Sequence, residues 1–331
     1  MMTAFLTSLS SVGEIVLVIA LGYWLRKSGK LDDKFKGSIS FIIMNIALPV
    51  SIFMSVVSHL NRDKLLSLSS GLFYVFISFV LGYVVALIFV KIFKIRKGRR
   101  GTFINMFVNA NTIFIGMPLN IALFGDQGLP YFLLYYLINT ISTWAVGIFF
   151  ISADDPTKDK ISASGAKFNW KKLLPAPLIG FIVALVWLVL GLPITFIVQP
   201  AAFPMLGNTF TMVGGLVTPL SLIYIGIILA DAGLQSIHFD RDSVLALAGR
   251  FVIAPAIMIV VLLTAKHTVG TVPTPELNTF VIQAAAPGLA VLPILVGQSH
   301  GDVDYATNLV VTSTVLFVIV VPILMEILAF L

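Results

Sequence analysis

The chain has 331 residues, 58% of them hydrophobic and 11% charged, where a soluble domain carries roughly 25% charged residues. Its mean hydropathy of +1.03 excludes a soluble globular protein, so the net charge of +6 reads as membrane topology rather than nucleic-acid binding. The absence of cysteine removes disulfides, thiolate metal sites and a Cys nucleophile.

A transmembrane helix needs about 20 mostly apolar residues, and the hydropathy predicts ten. Segment 1, about 4–25, follows a start without Lys or Arg, which reads as a retained helix rather than a cleaved signal, and it carries Glu14. Segment 2, about 38–57, contains LPVSIF around Pro49, and segment 3 covers about 68–93. Segment 4, about 102–124, includes FVNANTIFIGMPL, which sets Asn109, Asn111, Thr112, Gly116 and Pro118 within an apolar run. Segment 5, about 129–151, carries Asn139. Residues 152–172, with Asp154, Asp155, Lys158, Asp159 and Lys160, form the one linker-like stretch.

Segment 6 covers about 173–191 and segment 7 about 205–230, with TPLSLI around Pro219 and Asp231 at its end. Segment 8, about 244–265, has Arg250 near its start. Segment 9, about 277–298, contains QAAAPGLAVLP, with Gln283, Pro287, Gly288 and Pro293. Segment 10, about 304–330, carries Asn308 and a Thr-Ser-Thr triplet at 312–314. Of the Lys and Arg residues, 18 fall with the odd-numbered loops and three, Arg62, Lys64 and Lys266, with the even-numbered ones. Basic loops stay cytoplasmic, so both termini are expected outside a cell membrane crossed many times.

Five segments precede the linker and five follow it. Because five is odd, two similar halves must lie in opposite orientations. LPVSIF and TPLSLI are offset by 170 residues, and Pro118 and Pro293 align at an offset of 175. The expected organisation is one inverted repeat at 1–151, the linker at 152–172 and a second repeat at 173–331. Segments 4 and 9 are then the paired interrupted helices that point to a transporter's substrate site. Inside lipid a freed N–H or C=O costs several kcal/mol, so irregular backbone survives only in protein or beside a wet cavity. Asn109, Asn111, Thr112 and Gln283 offer polar groups there, Gly116 and Gly288 allow close approach, and Pro118, Pro287 and Pro293 remove donors. Half-helix N-termini meeting at mid-membrane would attract a carboxylate without a resident lysine.

NANT at 109–112 is similar to the crossover motif of the auxin efflux carrier family, which includes plant PIN auxin carriers and bacterial malate and malonate permeases. The run from Gln283 through Ile323 resembles the same family's last hairpin. The resemblance spans the chain and implies an all-α polytopic fold of two inverted five-helix repeats whose broken segments 4 and 9 cross. It further implies a scaffold of segments 1, 2, 6 and 7, a transport domain of segments 3–5 and 8–10, elevator movement and a homodimer. In that scheme Asn111 meets the substrate carboxylate, Pro287 is the crossover proline, and Asn139 falls near a polar substrate contact of segment 5. Ala110 stands where plant members have proline, so the break is expected to come from the Asn, Gly and Pro content. The short linker favours a bacterial-type carrier of small organic anions over an auxin carrier.

Other polar residues have plainer readings beside functional ones. Glu14, Asp231 and Arg250 are candidates for proton or sodium coupling, although Glu14 also suits an interfacial site and the other two suit pairing or snorkelling. Asp126, Asp302 and Asp304 are placed in outer loops after the broken segments. HGDVD at 300–304 lacks metal-ligand spacing, and no catalytic or cofactor motif occurs. A sodium-coupled bile-acid-type symporter would need acids beside the breaks, where none is expected. An intramembrane enzyme would need paired acids or a His constellation at depth. A non-transporting sensor of the same fold stays open.

Overall fold

The structure is a computed structural model that describes residues 2–59, 69–157, 176–192, 204–268, 270 and 272–331. Most of the expected linker, from 158 onward, lies outside the described residues. Helices α1 (Met2–Lys27), α2 (Asp33–Ser58), α3 (Ser69–Ile92), α4 (Arg100–Val108), α5 (Thr112–Phe124) and α6 (Leu129–Ala153) precede it. After it come α7 (Ala176–Val189), α8 (Met205–Ala232), α9 (Arg241–Thr268), α10 (Thr274–Ala284), α11 (Leu292–Gly297) and α12 (Val303–Leu328). Among the described residues six of these, α2, α3, α6, α8, α9 and α12, are long and apolar enough to cross a membrane. The chain is a multi-pass membrane protein. Expected segments 4 and 9 are each divided, into α4 with α5 and α10 with α11.

Between helices in lipid there is little hydrophobic gain, so association depends on close packing and small residues. In α1 and α8 this takes the form of a reciprocal glycine pair. A Cβ on Gly22 would sit 2.4 Å from the Ile223 carbonyl, and one on Gly226 would sit 2.2 Å from the Ile19 carbonyl. These helices, with α2 packed on α7 and α8, form one group. Helices α3, α4, α6 and α9 interlock separately through aromatic side chains, including Phe89 with Phe107 at 5.7 Å and Phe79 with Tyr135 at 5.3 Å.

Carboxylate caps start the helices that leave the basic face. Asp32 accepts from the Phe35 N–H at 2.7 Å, Asp240 from that of Ser243 at 2.7 Å and Asp302 from that of Tyr305 at 2.9 Å, each satisfying an otherwise orphaned donor. The same acids bind basic residues. Asp231 joins Arg26 at 2.6 Å and Lys36 at 2.7 Å. Asp302 joins Arg99 at 2.7 Å and Arg96 at 2.8 Å, and Arg99 also pairs with Asp240. This corrects the expected outer placement of Asp302 and of Asp304 beside it. After its break segment 9 continues through α11 to the face of the basic loops, where the Asp302 N–H donates to the Gly98 carbonyl at 3.0 Å.

Burial alone would raise the Asp240 carboxyl, but hydrogen bonds from Ser243 and Arg99 outweigh it and bring it down to about 2. Burial likewise opposes, and the Tyr305 N–H and Arg99 outweigh, in holding Asp302 below the usual carboxylate range.

Candidate functional site

The two breaks lie side by side. Ala110 and Gly288 form an isolated antiparallel bridge, and the Asn111 N–H donates to the Pro287 carbonyl at 2.7 Å. Each freed backbone thus supplies part of what the other lacks. The remainder comes from α6, where the Asn139 side chain accepts from the Ala110 N–H at 2.9 Å and donates to the Ala110 carbonyl at 3.0 Å. That amide replaces both of the bonds a continuous helix would have made. Hence the break follows from a tertiary amide plug. Gly116 and Pro118 lie beyond it, in the wide first turns of α5, where the Gly116 N–H returns to the Asn111 carbonyl at 2.9 Å. Pro293 sits in the first turn of α11. The Gly288 N–H donates to Ser313 at 3.1 Å, and a Cβ there would lie 2.4 Å from the Met106 sulfur.

A cavity of about 210 Å³ opens beside the breaks, lined chiefly by Asn111, Thr112, Tyr136, Asn139, Thr143 and Tyr224. This is below the roughly 300 Å³ at which drug-sized sites begin. Among the described residues no acidic or basic one lines it. Two buried polar atoms on its lining residues, Asn111 Nδ2 and Thr143 Oγ1, have no hydrogen-bond partner among the described residues, and the Tyr136 hydroxyl lies next to Thr140. All of these can donate. Asn111 caps α5 with its other side-chain atom, Oδ1, which accepts from the Phe114 N–H at 3.1 Å, so the free amide is held in one orientation. The positive end of α5 adds to the same field.

The predicted residues divide between the cavity and its support. Asn111, Thr112 and Asn139 line it; Asn109, Gln283, Pro287 and Gly288 do not. Asn109 donates to Asn105 at 2.9 Å and Tyr83 at 3.2 Å and accepts from Ser142 at 2.6 Å, a closed buried network. Gln283 donates to the Gly116 carbonyl at 2.9 Å. Asn308 holds the backbone of His238, donating to its carbonyl at 2.8 Å and accepting its N–H at 2.9 Å. Glu14 is exposed on α1, and Asp231 belongs to the ion pairs of the basic face.

Arg250 departs from the snorkelling expected of it, because it has 0% exposure. Its Nη2 donates to the Ala284 carbonyl at 2.8 Å and its Nη1 approaches the Phe107 carbonyl at 3.5 Å. These are the C-terminal ends of α10 and α4. One guanidinium therefore faces the negative ends of both interrupted helices, while the first turn of α5 meets the cavity.

Sequence reasoning missed Tyr136, Thr140, Thr143, Trp144 and Tyr224 as lining residues. Tyr136, Asn139, Thr140 and Thr143 follow a spacing of three, four and seven, one face of a helix, so that signal was present. It also placed Glu276 one residue before segment 9, whereas the structure puts it in the first turn of α10 with 5% exposure.

The profile of the family described as membrane transport protein matches residues 7–325. The chain belongs to the auxin efflux carrier family of membrane transport proteins. Two relatives are named as transporters. One, an uncharacterized transporter of Methanothermobacter thermautotrophicus, is 21% identical over 323 residues, covering 96% of this chain and 97% of the relative. The other, an uncharacterized transporter of Methanocaldococcus jannaschii, is 22% identical over 244 residues, covering 73% and 75%. As a member of this family the chain is a transporter and not an enzyme.

Proposed function

We propose that this carrier moves small organic anions, mono- or dicarboxylates, by alternating access around the paired breaks. One observation carries the reading: a cavity at a helix break is lined by Asn111 and Thr143, each with a buried unpartnered donor, and by no carboxylate among the described residues. Such donors suit an anion whose charge would otherwise be stranded in a low-dielectric site.

A second cavity, about 330 Å³, meets α2 at Ser51, Met54 and Ser58, farther along that helix than the Ser40 and Met44 of the first. The Phe114 and Tyr224 rings, 4.8 Å apart, stand at the first cavity. Two cavities in line along α2 support a site reached alternately from each side. In this reading α1, α2, α7 and α8 form a scaffold and the rest forms a moving transport domain, in elevator fashion. The ten segments are two inverted repeats crossing at Ala110 and Gly288, both termini face outward from the cell membrane, and a homodimer forms through the scaffold. A negative-inside potential favours anion export by about 2.3 kcal/mol per charge per 100 mV, so import requires proton or sodium coupling or exchange.

The test is uptake of labelled malate, malonate, lactate and indole acetate into proteoliposomes under imposed pH, sodium and voltage gradients. Saturable flux of one acid is expected. In Asn111→Ala the loss of one hydrogen bond to a charged group, worth roughly 1.5–3 kcal/mol, should weaken that acid's affinity about 10- to 150-fold. Full uptake by an equally expressed Asn111→Ala carrier would sink the site, and binding without flux would make the protein a sensor.

A further inference from the structure

Glu276 is a buried acid that the substrate cavity does not use. It is 5% exposed and its Oε1 has no hydrogen-bond partner. That oxygen lies against Gly71 of α3, 2.7 Å from where a Cβ would stand, and the same point is 3.0 Å from a Leu134 methyl and 3.2 Å from the Phe280 ring. The ordinary role of a glutamate in a first helical turn is to reach back to the capping residue's N–H. Here the cap is Pro273, which has no N–H to offer.

The surrounding elements carry few titratable groups. Tyr131 of α6 interacts with Glu276 electrostatically. Tyr74 lies on α3, Asp126 in the 125–128 turn, and Lys266 and His267 in the last turn of α9; Arg250 of α9 bonds the far end of α10, and α12, packed on α10, carries Glu326 near its end. Lys266 donates to the Leu331 carbonyl, and among the described residues no cation pairs with Glu276.

The acid is also joined to the breaks. Glu276, Thr279 and Gln283 are spaced three and four apart on one face of α10. Thr279 Oγ1, Gln283 Oε1 and both amide atoms of Asn120 on α5 are buried without partners. Asn120 Nδ2 and Thr279 Oγ1 converge on Gly128, 2.8 and 3.1 Å from the position of a Cβ there. Gln283 then binds the Gly116 carbonyl, and Gly116 binds that of Asn111. A seam of unanswered polar groups thus runs about 10 Å, two helical turns, along α10 from Glu276 to Gln283, which is bonded to the turn after the break. Polar groups left open at such depth mark ion or proton paths more than packing.

We propose that Glu276 is the proton-binding group of this carrier, taking up one proton as the organic acid binds and releasing it on the other side. The proposal rests on the transport reading above. The step makes and breaks one O–H bond: a proton passes from water to the carboxylate and later returns to water. Against Gly71, Leu134 and Phe280 the Oε1 side of the carboxyl is poorly solvated, so proton exchange with water needs the seam wetted. One proton carried with a monocarboxylate makes the cycle electroneutral and cancels the opposing membrane potential.

The experiment uses proteoliposomes of wild type, Glu276→Gln and Glu276→Asp with an internal pH dye. Whichever labelled acid the wild type carries, among malate, malonate, lactate and indole acetate, is followed at zero voltage, with and without a sodium gradient. For wild type, an inward gradient of about one pH unit should support about tenfold accumulation, with proton entry seen by the dye. Glu276→Gln should still exchange labelled for unlabelled acid, which reports a folded carrier, yet show neither accumulation nor dye signal. Glu276→Asp should retain part of both. Proton-driven accumulation in Glu276→Gln, or wild-type uptake driven by sodium with a silent dye, overturns the assignment of Glu276 alone. A wild type that moves none of the acids overturns the transport reading and this role with it.

Discussion

A guanidinium with no exposed surface needs its charge and its donors answered by protein. Arg250 meets part of that need with the carbonyl ends of α4 and α10 and with Tyr135, its Nε keeping no partner, so it positions the breaks without entering the cavity. Replacing a buried charged residue by an apolar one can be neutral or even stabilising. In this case the substitution would also orphan carbonyls at membrane depth, at roughly 1–3 kcal/mol each. Arg250→Met is therefore expected to lower the melting temperature of the purified protein and to reduce uptake. Arg250→Lys, with a charge but no fork to span two carbonyls, should fall between. A Met variant as stable and active as wild type would make Arg250 incidental. At this scale polar groups in an apolar run are conspicuous in the sequence, and Asn111, Thr112 and Asn139 line the cavity. The sequence could not tell Asn109 from Asn111. Two residues apart they point in different directions once the helix ends, and only the network of Tyr83, Asn105 and Ser142 shows where Asn109 is held.

At the scale of elements, α6 supports the interruption of α4. The two bonds from Asn139 to the Ala110 backbone explain a break at a residue with good helix propensity. Asn139→Ala leaves the Ala110 N–H unanswered, roughly 1–3 kcal/mol, while the Ala110 carbonyl keeps the Thr112 N–H at 2.9 Å, and it should lower both melting temperature and flux. Asn139→Asp keeps the acceptor for the Ala110 N–H and loses the donor, so thermal unfolding should place it between the two. Equal melting of all three would show that the break stands without the plug. The location of the breaks was legible from Asn, Gly and Pro composition. Their cause was not, since the plug comes from 29 residues away and Gly116 and Pro118 shape only the turns that follow.

For the whole molecule, the basic face is tied by acids from loops far apart in sequence. Asp240 and Asp302 have folded-state pKa values below their ordinary range, so their contribution is complete above the unfolded value of about 4. It is lost as pH falls toward the folded values, about 2 for Asp240. The Ser243 and Tyr305 amides, which donate to these carboxylates, should keep their hydrogen-exchange protection down to about pH 4 and lose it between there and about pH 2. Loss of protection already at neutral pH would show that these caps do not hold the face together.

Hydropathy, charge placement and motif spacing by themselves determined that the chain is helical, crosses a membrane repeatedly, is broken near 110 and 287, and resembles one carrier family. These are properties of local composition, where about 20 apolar residues or one polar interruption carry their meaning wherever they fold. The tertiary structure decided which amides face a cavity, which support the backbone, where Arg250 places its charge and that Glu276 is buried. Those depend on pairings such as Asn111 with Pro287 and Arg250 with Phe107, in which each polar group in a low-dielectric interior is satisfied by a partner that its own sequence neighbours do not specify.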